Sequence, residues 1–149
     1  MCSVTPDNNE SGLFQELRSV ARDPRIKRLG RVVFSAGIYR SGGFGWDFVL
    51  VLDEKESRKP RAYDTVFGVM KDHVSPDHLR DISQIVLLAP EDRASSEIVG
   101  SASSFSGLDS EALAPVNPHV IRVVDVDRGY LISINPEWSR AGRFIRHDA

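Results

Sequence analysis

The stretch Arg40-Ser-Gly-Gly-Phe-Gly-Trp-Asp47 lies between two runs of strand-forming residues, Arg31 to Tyr39 and Trp46 to Asp53. Three glycines within four positions free the backbone for a tight reversal, so the two runs read as the arms of a β-hairpin. The second arm, Trp-Asp-Phe-Val-Leu-Val-Leu-Asp, is apolar on both faces for most of its length and is expected to be a central strand. Phe44 and Trp46 place large apolar surface beside a turn that would ordinarily be wet. Aromatic and arginine side chains dominate binding hot spots, so Arg40, Phe44, Trp46 and Asp47 are the candidate contact residues. The alternative for Trp46 is that it packs back onto the sheet.

Around this hairpin the pattern predicts a single α+β domain over residues 10–149, after a flexible stretch at residues 1–9. From Ser11, Leu13, Leu17, Val20 and Ala21 recur at helical spacing, with Arg18, Arg22 and Arg25 on a second stripe. Asp23-Pro24 reads as a cap and first turn that interrupts this helix and opens a short one closing near Gly30. After the charged turn Glu54 to Pro60, Arg61 to Lys71 reads as a third strand. Tyr63, Thr65, Phe67 and Val69 would share one face, completing an antiparallel meander. Ser75-Pro76 is a second cap pair. Gln84 to Ala89 suits a buried strand that makes the sheet mixed, with helix as the alternative. Glu91 to Ser104 has Ala94, Ile98 and Ala102 at helical spacing.

A flexible link is expected near residues 103–117. Two further strands, His119 to Val126 and Gly129 to Asn135, would join through an Asp127-Arg-Gly turn. Asn135-Pro136 would open a C-terminal helix with Trp138, Ala141 and Ile145 on one side and Arg140, Arg143 and Arg146 on the other. The whole predicts about five to six strands with helices packed on them.

At 149 residues, 41% hydrophobic and 27% charged, the chain can build an ordinary globular core. A net charge of −2 argues against a domain devoted to wrapping phosphate backbone, which carries a clear positive excess. Cys2 is the only cysteine, so neither an internal disulfide nor a cysteine zinc site is expected. No basic, apolar leader opens the sequence, and no apolar run approaches the roughly 20 residues of a membrane-spanning helix. A cytoplasmic protein without membrane contact is the expectation. Only four of the 19 basic residues are lysine, as the codon bias of a GC-rich bacterial genome would produce.

The chain lacks an essential residue of each catalytic pattern it partly resembles. The Ser41 to Gly45 turn lacks the GxxxxGK pattern of a phosphate loop and leads into a strand. A nucleotidyltransferase would need a second carboxylate two residues beyond Asp47, where Val49 stands. A nuclease of the restriction type would need an acid and a D/E-x-K element on adjoining strands. Asp47 and Asp53-Glu-Lys55 imitate it, but six residues of strand hold the aspartates about 20 Å apart. Asp125 and Asp127 read as turn residues. His73, His78, His119 and His147 have no ligand spacing, and Ser101, Ser103, Ser104 and Ser106 no nucleophile setting.

These absences favour a non-catalytic protein-interaction or regulatory subunit of a larger assembly, without cofactor, metal or catalytic residue. The alternative is a metal-dependent nucleic-acid-processing enzyme built on Asp47. Arg25, Lys27, Arg28 and, near the other terminus, Arg140 and Arg143 are the candidate nucleic-acid contacts if the termini meet in space. A protein partner is expected, and self-association is compatible with the same surface.

Overall fold

The computed structural model describes residues 8–53, 60–101 and 114–135. In chain order these form α1 (Asn8–Arg22), α2 (Pro24–Lys27), β1 (Val32–Arg40), β2 (Trp46–Leu52), α3 (Pro60–His73), α4 (Pro76–Leu79), β3 (Ile82–Leu88), α5 (Arg93–Ser101), β4 (Ala114–Pro115) and β5 (Val126–Ile134). The fold is α+β, with five strands in the order β3-β2-β1-β5-β4. All neighbours are antiparallel except β2 and β3, so the sheet is mixed.

The hairpin β1–β2 forms as expected, Tyr39 opposite Trp46 and Ala36 opposite Val49. Every residue of β2 is buried, because both of its faces are covered. One face carries α1 and α3: Leu13, Phe14, Leu17 and Val20 meet Trp46, Phe48, Leu50 and Ile132. The other carries α5 and the chain leading into β5, where Val49, Val51, Ile98, Val99 and Ile121 form a second cluster. Two of the three predicted cap pairs are present, and the third, Asn135-Pro136, runs into residues outside those described. Asp23 is extended and accepts from the Arg25 amide at 2.8 Å, and the Ser75 hydroxyl accepts from the His78 amide at 3.4 Å.

Several expectations are corrected. Arg61 to Lys71 is helix, not a third strand, so the meander stops after two arms. Ala62, Val66, Val69 and Met70 are its buried residues, whereas Phe67 is about half exposed. Two patterns overlap in this stretch, and the helical one prevails because β2 and β3 run parallel and their ends can be joined only by a crossover. Asp127-Arg-Gly is not a turn either. β5 runs straight through it, with Arg128 opposite Tyr39 and Gly129 opposite Ile38. A Cβ on Gly129 would stand 2.7 Å from Ile38 Cδ1, so this glycine serves close strand packing.

The predicted strand His119 to Val126 is irregular chain up to Asp125. It is folded by a turn in which Asn117 accepts amides from His119 (3.0 Å, side chain) and Val120 (3.1 Å, carbonyl). Ala114–Pro115, inside the stretch expected to be flexible, pairs with β5. The expected C-terminal helix, with Trp138, Arg140, Arg143 and Arg146, and most of the two expected flexible stretches lie outside the described residues. Among those described, no helix is long and apolar enough to cross a membrane.

Candidate functional site

The turn joining β1 and β2 is hydrogen-bonded within itself and on both sides. Gly42 has φ of 76°, the Gly43 amide donates to the Arg40 carbonyl at 2.9 Å, and the Ser41 amide donates to the Asp125 carbonyl at 2.9 Å. On the other side the Trp46 amide donates to the Asp81 carbonyl at 2.7 Å. Gly45 is required there, since a Cβ would come within 2.6 Å of that same carbonyl oxygen. The turn thus rests between the start of β3 and the start of β5.

The four candidate residues go three ways. Phe44, at the tip, is 96% exposed. Trp46 is 3% exposed and packs under α1, edge-on to Phe14 and Tyr39 with ring centroids 4.9 and 5.2 Å away. The Arg128 guanidinium covers Tyr39 and Trp46 at 4.5 and 5.1 Å and is held by Glu10 at 3.0 Å. Trp46 is therefore a core residue, and of the two aromatics only Phe44 offers surface.

Asp47, next along β2, points to the opposite face, as strand alternation requires. Its side chain is almost fully buried. Arg40 Nε lies 2.8 Å from Oδ2 without hydrogen-bond alignment, the Gln84 amide donates to Oδ2 at 3.2 Å, and Oδ1 is buried with no hydrogen-bond partner among the described residues. These three polar residues border a cavity of about 300 Å³ whose other walls are aliphatic, among them Ile38, Val49, Val86, Ile98 and Val124. Sequence reasoning missed the cavity because its walls come from β1, β2, β3, α5 and the chain before β5. One signal was legible: Asp47 is the only charged residue in β2.

Glu97 on α5 holds the chain that roofs this region. Its Oε1 accepts the Arg122 and Val123 amides at 2.6 and 3.2 Å, and its Oε2 takes Arg93 Nε at 2.8 Å. Burial pushes the Glu97 carboxyl up, but these donors outweigh it and hold the group below its ordinary value. Val120, Val123 and Val124 on this chain are each about two-fifths exposed. They adjoin the hairpin turn through the Ser41–Asp125 bond.

Of the nucleic-acid candidates, Lys27 and Arg28 are exposed at the end of α2, Arg140 and Arg143 lie outside the described residues, and Arg25 is engaged in ion pairs. Arg25 is paired with Asp23 at 2.9 Å and Asp72 at 2.8 Å, and His73 Nε2 lies 2.9 Å from Asp23. The hydrogen bonds from Arg25 and His73 hold the Asp23 carboxyl far below the usual carboxylate range. His78 Nδ1 lies 2.8 Å from Glu16. Among the described residues no group of three or more His, Cys, Asp or Glu side chains could hold a metal ion. Comparison of the chain with family models, curated proteins and solved structures finds no match, so the site is read from its geometry alone.

Proposed function

We propose that this chain is a non-catalytic protein-interaction or regulatory module that meets its partner through the Arg40–Gly45 turn. The observation supporting this reading is Phe44, a fully solvated phenyl ring at the tip of a turn whose backbone is hydrogen-bonded to both flanking segments. Burial of such a side chain by a partner is worth about 1.5–3 kcal/mol, and a pre-ordered turn loses little entropy on docking. Val120, Val123 and Val124 extend the apolar surface beside it, and half-exposed Arg40 supplies charge at its edge. A cytoplasmic location goes with this reading, since a single cysteine leaves the chain without an internal disulfide.

The test is recovery of the tagged chain from its native host at moderate salt, wild type beside Phe44→Ser. A stoichiometric protein partner lost with Phe44→Ser, at unchanged thermal stability, supports the assignment. Equal recovery by both chains overturns it. The metal-dependent nucleic-acid-processing alternative gains nothing specific, because Asp47 faces two donors, Arg40 and Gln84, which suit a carboxylate but oppose a cation.

A further inference from the structure

Among the described residues, the sheet face turned away from α1 and α3 leaves a cavity. The cavity of about 300 Å³ bordered by β1, β2, β3 and α5 falls at the lower end of ligand-holding volumes, ~300–1,000 Å³. Strand register orders its wall. Asp47 stands opposite Ile38 and Gln84, the next row pairs Val49 with Val86, and the next pairs Val51 with Leu88. Polar groups are therefore gathered at one end and hydrocarbon fills the rest.

An aspartate in this place is costly. Its Oδ1 has no hydrogen-bond donor among the described residues, and a buried acceptor left so loses the solvation it had in the unfolded chain. Valine would suit the wall better, as it does at positions 49 and 51 of the same strand. The neighbouring Arg40 cancels the Asp47 charge and Gln84 serves Oδ2, so Oδ1 calls for a hydrogen-bond donor and not for a counter-ion.

We propose that this cavity binds a small, uncharged amphipathic molecule, with its aliphatic body along Val49, Val86 and Ile98 and a hydroxyl or carboxamide head at Asp47. The head donates to Oδ1 and accepts from Gln84 or Arg40. Gln84, exposed on the edge strand, is the side chain that moves to admit it. Arg40 links this site to the turn that carries Phe44, but the two assignments stand on separate observations.

The test is an NMR titration of the isotopically labelled full chain with heptanamide, with heptanoate as the charged control of equal length. Heptanamide is expected to give saturable shifts confined to the cavity residues, and heptanoate to bind at least about tenfold more weakly. Ala94→Phe, which fills the cavity from α5, should abolish the saturable shifts while the spectrum stays dispersed. Asp47→Asn leaves the Arg40 charge uncompensated and should reverse the preference toward heptanoate. Scattered or non-saturable shifts in the wild type, undiminished binding by Ala94→Phe, or a wild-type preference for heptanoate would overturn the proposal. Should Asp47→Asn not fold, the Ala94→Phe comparison decides alone. Phe44→Ser is expected to leave the titration unchanged.

Discussion

Trp46 stands edge-on to Phe14, ring centroids 4.9 Å apart and planes at 85°, which fastens α1 to the first residue of β2. Tyr130 lies within ring contact of both, so the cluster joins three elements distant in sequence. Truncating a buried aromatic of this kind leaves a cavity, and Trp46→Ala should cost ~3–5 kcal/mol. Phe44→Ala, two positions away and wholly in solvent, should change stability by less than about 0.5 kcal/mol. Denaturant midpoints of the two variants check the contrast, and equal losses would contradict the division between core and surface.

The glycines of the turn should differ in a way that composition does not reveal. Gly42→Ala meets no neighbouring atom and suffers only the positive φ, at about 1 kcal/mol. Gly45→Ala drives a methyl group into the Asp81 carbonyl, which cannot rotate away, and should cost more, about 1–3 kcal/mol. It should also weaken hydrogen-exchange protection of the Trp46 amide, which donates to that carbonyl.

Glu97 ties the chain before β5 to α5 through two backbone amides. Glu97→Ala should lose about 1 kcal/mol and abolish exchange protection at Arg122 and Val123. Glu97→Gln, which keeps an acceptor oxygen but not the charge, should retain part of it. Unchanged protection in the alanine variant would mean that other contacts hold the segment.

Asp23 should give the protein an acid-sensitive joint between α2 and the end of α3. Its carboxyl is depressed in the folded chain, first by Arg25 and then by His73. The stabilisation is therefore fully present above the unfolded value, about pH 4, and is lost as pH falls toward and through the lower folded value. Denaturant midpoints measured from pH 7 down to pH 3 should fall less steeply for Asp23→Asn than for the wild type. Parallel profiles would show that Asp23 does not carry the acid response.

Local chemistry made several elements legible. Asp23-Pro24 and Ser75-Pro76 form caps because a side-chain acceptor, a fixed proline φ and the next amides are all within one turn. The β1–β2 hairpin follows from glycines placed between two apolar runs, and α1 from the spacing of Leu13, Leu17, Val20 and Ala21, all buried. The same stripe logic failed for Arg18. It is 2% exposed and donates from Nε and Nη2 to the Ile132 carbonyl, more than a hundred residues along the chain.

The sequence by itself determined the β1–β2 turn, the starts of the short helices and that β2 is an interior strand, since these depend on neighbours a few residues apart. Tertiary structure decided the rest. Arg61 to Lys71 carries both a period-two and a helical pattern, and the parallel pairing of β2 with β3 selected the helix. Gly129 looked like a turn residue until Ile38 and Val116 proved to press against it. Trp46 and Phe44 are alike in type and nearly adjacent, and only packing under α1 makes one core and the other surface. The cavity at Asp47 has no local signature beyond one charge in an apolar strand, because its walls become neighbours only when the sheet is assembled.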